Sequence, residues 1–164
     1  MNPYAEYENV IPLIAPVDTG ATAIQTPFVD LKTAHRLAVA VYFGVITTSS
    51  ATDPGPTVTV VCSTAATTVS ETEIAFNYRL STATGANSFG AVTAATSAGV
   101  ATTNTDDGKM MWIEVDPAVV QAKGTDKRFV SVFVTPDVGA TVTVVGAVGF
   151  VQPRYKGATM ISTT

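Results

Sequence analysis

The run HRLAVAVYFGVI, residues 35–46, sets the narrowest limits on how this chain folds. It is the most apolar stretch in the sequence and opens on the only histidine. A membrane-spanning helix needs roughly 20 apolar residues, and this run is shorter. Ala38, Ala40 and Gly44 alternate with Val39, Val41, Phe43 and Val45. Small side chains thus share one face and bulky ones the other. That pattern predicts a central strand covered on both sides, its small face closely approached by another layer.

Other stretches repeat the theme. TVTVVCS places Val58, Val60 and Cys62 on one face of a strand. TEIAFNYRLS, residues 72–81, alternates Ile74, Phe76, Tyr78 and Leu80 against Ala75, Asn77 and Arg79. KMMWIEVD, KRFVSVFV and TVTVVGAVGFVQPRY complete the strand set, and FVDLK precedes the opening run. ATDPGP and TPDVGA supply turns. In DPAVVQAKG, Asp116 suits an N-cap, Pro117 the first helical position and Gly124 the stop, so one short helix is expected there. Residues 82–108 are rich in small side chains and read as loop with one edge strand. Threonine and valine favour strands, whereas leucine, glutamate and lysine are scarce. Seven or eight short strands with turn signals between them predict an all-β fold, an antiparallel β-sandwich or jelly roll. The expected buried set is Val39, Val41, Phe43, Ile74, Phe76, Val130, Val132 and Val144.

Residues 1–26 differ. Pro3, Pro12, Pro16 and the adjoining Pro27 interrupt any sustained alternation, and proline blocks ladder hydrogen bonds. Yet Tyr4, Tyr7, Val10, Ile11, Leu13 and Ile14 are too apolar for a solvated linker. The segment reads as an extended N-terminal arm ahead of a single domain over 27–164. Tyr4 to Ile14 are expected to be fixed by contacts beyond that domain, which makes these six residues the candidate interface.

Site chemistry is sparse. A net charge of −4 leaves no electrostatic footprint for nucleic acid and no basic face for an anionic membrane. One cysteine excludes an internal disulfide, and Cys62 reads as a buried, inert thiol made in a reducing compartment. MNPYAEYENV has neither the basic start nor the apolar stretch of a secretion signal. His35 has no second histidine to share a metal. Glu6, Glu8, Glu71 and Glu73 form no catalytic motif. Gly108 and Glu114 have the spacing of a calcium loop's glycine and last glutamate, but Thr103 and Thr105 stand at the first two ligand positions. Asp107-Gly108 therefore reads as a hairpin turn. Glu114 lacks a carboxylate partner for glycoside chemistry. GANSFG lacks the lysine of a phosphate loop. Trp112 shares a face with Met110 and Glu114, which suits core, interface or a sugar platform. Arg154, Tyr155 and Lys156 form a small basic-aromatic cluster, either a solvated tail or a match for an acidic surface. No catalytic residue, metal or cofactor is expected.

Three phrases, EIAFNYRLSTATGANSFGAVTAAT, DDGKMMWIEVDPAVV and GAVGFVQPRY, together with the opening strand, resemble virion structural proteins of tailed bacteriophages encoded among head genes. The likeness spans most of residues 28–155 and rests on strand-turn phrases. It implies a head decoration or cement protein, made in the host cytoplasm and bound to the capsid exterior. The implied partners are the major capsid protein and further copies of itself, with no nucleic acid or membrane. The other reading is a tail, baseplate or carbohydrate-binding receptor sandwich. A mean hydropathy of +0.32 fits a chain whose apolar surface is covered in an assembly.

Overall fold

In a computed structural model, residues 9–48, 54–68, 70–137 and 142–153 are described. Strands take 59% of the described residues and helices 6%, which makes the protein all-β. The chain enters through β1 (Asn9–Asp18), two short strands β2 (Ile24–Gln25) and β3 (Val29–Asp30), and the long β4 (Ala34–Thr47). Then come β5 (Pro54–Ser63), β6 (Thr72–Ile74), β7 (Phe76–Leu80), β8 (Thr93–Ala95) and β9 (Val100–Thr103). A 3-10 turn over Asn104–Asp106 leads to β10 (Met110–Val115), helix α1 (Pro117–Gln121), β11 (Phe129–Thr135) and β12 (Val142–Pro153).

Two antiparallel sheets result. Sheet A runs β1-β12-β4-β10-β7-β8. In sheet B, β11 and β5 are central, with β2 and β3 on the outer side of β11 and β6 and β9 on the outer side of β5. The core lies between the sheets: Leu37, Val39, Val41 and Phe43 of β4 face Val58, Val60 and Cys62 of β5 and Val130, Val132 and Val134 of β11 within one buried cluster. The opening run is thus a central strand, paired with β12 on one side and β10 on the other. Cys62 is fully buried, and that burial pushes its thiol pKa up.

Seven of the eight expected core residues are buried; Val144 is only half-buried. Val144 alternates with the buried Thr143 and Val145 and so faces outward, opposite a bulge in β4. Thr143 pairs with Ile46 but Val145 pairs with Phe43, so Gly44 and Val45 together oppose Val144. The extra residue resets the alternation, turning Val45 outward and Ile46 inward. Gly44 is needed there, because a Cβ would sit 2.8 Å from the Val144 side chain.

TEIAFNYRLS is two strands in different sheets, with β6 in sheet B and β7 in sheet A. Only Ala75 separates them, and Ile74 and Phe76 both point into the core. Asp107-Gly108 is not a hairpin turn either: it carries the chain from β9 in sheet B to β10 in sheet A. Helix α1 begins as expected, with the Asp116 carboxylate accepting from the Ala118 amide at 2.8 Å and Pro117 in the first turn.

The N-terminal segment corrects the expectation that its prolines keep it out of a sheet. β1 pairs with β12 from Asn9↔Val151 to Asp18↔Val144. It is an edge strand, where proline is tolerated because one side of the ladder has no partner. Two register shifts, between Pro12 and Ile14 and between Ile14 and Val17, explain the broken alternation. Ile11, Leu13 and Ile14 are buried in the chain's own core, at 6%, 7% and 8% exposure, and so are not free for a partner. Val10 stays exposed. Tyr4 and Tyr7 lie outside the described residues.

Candidate interaction face

The outer face of sheet A is built by residues that alternate with the core. On β4 these are Ala38, Ala40 and Tyr42; on β10, Met110, Trp112 and Glu114; on β12, Val148 and Phe150. Trp112 lies directly opposite Ala40, and Phe150 directly opposite Ala38. Their strands flank β4 and so stand about 10 Å apart. The ring centroids are nevertheless only 5.1 Å apart. Both rings lean over the two alanines, which are 7% and 8% exposed as a result. The small face of β4 is therefore covered by two side chains, where the sequence suggested another layer.

A third ring extends the cluster. Phe89 meets Trp112 edge-on at 6.4 Å. Its loop is held to the end of β7 by the Ser81↔Phe89 bridge and by the Gly90 amide donating to the Leu80 carbonyl at 2.9 Å. Tyr42 and Val10 add exposed apolar surface. The exposed large hydrophobic residues among those described are Val10, Val17, Tyr42, Val45, Phe89 and Val92. All six lie on β1, β4 or the β7–β8 loop and none is on sheet B; Val17, opposite the buried Val145, is exposed at the sheet edge and not on the outer face. Apolar exposure concentrated on one layer of a sandwich marks an interaction surface.

The polar rim gathers residues that the sequence left scattered. A shallow cleft of about 350 Å³ is lined by His35, Arg36, Asn77, Glu114, Val115, Asp116 and Pro117. His35, weighed as a metal ligand, and Glu114, weighed for glycoside chemistry, thus share one cleft. Glu114 is ion-paired to Arg36 at 2.9 Å, and Asp116 caps α1. Among the described residues no hydrogen bond joins His35 to either carboxylate. Cys62 lies inside the sandwich, away from this cleft. Tyr78 faces inward against Phe76, so it does not join Trp112 on the platform.

Asp106 and Asp107 have structural partners. The Asp106 carboxylate accepts from Lys109 Nζ at 2.8 Å, from the Thr103 amide at 2.8 Å and from Thr103 Oγ1 at 3.0 Å. Burial works to raise its pKa, but these donors outweigh it and hold the carboxyl below the usual carboxylate value. Asp107 Oδ1 accepts from the Ile46 amide at 2.7 Å, next to the bulge. Among the described residues no group of three or more metal-ligating side chains occurs. Because the folded pKa of Asp106 is depressed, its contribution to stability is complete above the unfolded value of about 4 and is lost as pH falls through the folded pKa. Asp106→Asn is therefore expected to flatten the acid limb of a melting-temperature profile. A parallel acid limb in variant and parent would refute that role.

A second concavity, about 420 Å³, lies on the outer face of sheet B between Thr59, Val61, Glu71, Glu73, Phe133 and Thr135. Glu71 is anchored there by Gln25 Nε2 at 2.7 Å. Phe89, Tyr42 and Phe150 are the face residues that sequence reasoning missed. The alternation of GAVGFVQ carried one signal, since it puts Phe150 out of phase with the buried Val151. Arg154, Tyr155 and Lys156 lie outside the described residues.

No family model, curated protein or solved structure matches this chain.

Proposed function

We propose that this protein is a non-enzymatic head decoration, or cement, protein of a tailed phage, which binds the outer capsid lattice through the outer face of sheet A. The observation that carries this is the Trp112–Phe150–Phe89 cluster with its one-sided surround of exposed apolar side chains. Aromatic anchors of this kind supply much of the energy of protein interfaces. The likeness of EIAFNYRLSTATGANSFGAVTAAT, DDGKMMWIEVDPAVV and GAVGFVQPRY to phage head proteins supplies the partner, the major capsid protein, and the place, the virion exterior. Many modest contacts multiplied over a lattice suit a surface of low charge.

The test is binding of purified protein to undecorated capsids, with copy number read by mass spectrometry or cryo-EM. Trp112→Ala is expected to weaken occupancy about 30-fold, corresponding to roughly 2 kcal/mol at a central anchor. Full occupancy by the variant, or no binding by the parent, would overturn the reading. A second reading draws on the rim: an aromatic platform beside Arg36, Asn77 and Glu114 also suits a sugar ring, as a tail or receptor-binding sandwich would need. Glycan binding lost in Trp112→Ala, with no capsid binding by the parent, would favour it.

A further inference from the structure

Resting on the capsid-binding reading above, we infer that the lattice partner presents an aspartate or glutamate carboxylate to Arg79 on the outer face of sheet A. Arg79 lies directly opposite Trp112 in the β7–β10 ladder, where paired side chains on one face stand about 5 Å apart. It alternates with Tyr78 and Leu80, which pack against the core, so it points outward with the aromatic cluster. The Ser81 amide donates to the Met110 carbonyl on the β10 side of β7, and the Leu80 carbonyl accepts from the Gly90 amide on the other side. β7 therefore runs between the strand of Trp112 and the loop of Phe89, whose ring centroids are 6.4 Å apart. Arg79 is a half-buried cation set between the anchors of those two rings.

Its guanidinium is uncommitted. Arg36 holds Glu114 at 2.9 Å and Arg128 holds Asp30 at 3.3 Å, whereas Arg79 makes no ion pair or hydrogen bond among the described residues. Glu114 stands opposite Asn77, on the diagonal from Arg79, but its carboxylate is turned to Arg36. Docking changes what this means. A solvated guanidinium is content in water, but one sealed beside Trp112 under an apolar partner loses its hydration, and that penalty works against the gain from the rings. A carboxylate brought by the partner removes the penalty, because it matches the planar fork of the guanidinium with two parallel hydrogen bonds. A basic partner surface would be repelled, and a purely apolar one would leave the charge stranded. The complementary segment is thus an acidic side chain flanked by apolar ones that meet Trp112 and Phe89.

The experiment is titration of undecorated capsids with the full-length chain and its variants, with circular dichroism confirming the fold of each. Arg79→Met keeps the apolar stem and should weaken binding at least about 30-fold, because the partner's carboxylate is left unpaired. Arg79→Glu should weaken it at least about 100-fold, and Arg79→Lys, which keeps the charge but not the fork, should fall between parent and Arg79→Met. Lys123→Met, which removes an exposed cation from the α1–β11 connection, should bind like the parent. Cryo-EM of decorated capsids should place a capsid carboxylate about 3 Å from the Arg79 guanidinium. Parent-like binding by Arg79→Met alongside weak binding by Trp112→Ala would overturn the pairing and leave the capsid reading standing, as would a guanidinium that faces no carboxylate. No capsid binding by the parent, with or without binding of an acidic glycan, would overturn both.

Discussion

Removal of residues 1–14 is expected to abolish the fold, whereas removal of residues 1–8 leaves it intact. The longer truncation deletes Ile11, Leu13 and Ile14, each less than 9% exposed in the central core. At ~1.5–3 kcal/mol for each large apolar side chain, the loss is about 5–9 kcal/mol, against a total stability of roughly 5–15 kcal/mol for a domain of ordinary stability. It also strips β12 of its neighbour from Asn9↔Val151 to Ile14↔Ala147 and bares a new sheet edge, a route to aggregation. Soluble yield and thermal melts of the two truncations decide the matter. If the longer truncation melted like the parent, β1 would be an appendage and not a structural strand.

Phe76→Ala is the second large effect, a loss of about 3–5 kcal/mol. Phe76 is 5% exposed, stands directly after the crossing from sheet B to sheet A, and packs in the shared core beside Tyr78. Chemical denaturation should show a lowered midpoint with an unchanged slope. An unaltered midpoint would mean that the alternation over 74–80 does not mark the core.

Where side-chain period alone decides the answer, the sequence was readable. The long strands β4, β5, β11 and β12 announce themselves by alternation, and α1 by its Asp-Pro start. The sheet assignment of TEIAFNYRLS was not readable, because Ile74 and Phe76 keep the same phase on both sides of the crossing. The bulge at Gly44 and Val45 arises from pairing with β12, about a hundred residues away, and no local pattern encodes it. Pro12 and Pro16 signal exclusion from a central strand, and they say nothing against an edge. Trp112 could be singled out as a candidate from sequence, but the cluster could not. Phe150, Trp112 and Phe89 become neighbours only through the order β12-β4-β10-β7, which is long-range pairing.

The one-residue passage at Ala75 has a mechanical consequence. Most routes between the sheets are loops with slack, but a single residue spans only about 3.5 Å and has none to give. Ordinary sandwiches resist sliding of one sheet over the other through side-chain interdigitation alone. Here a taut peptide bolt joins the two layers at Ile74 and Phe76, so shear applied to one sheet is carried into the other by covalent bonds.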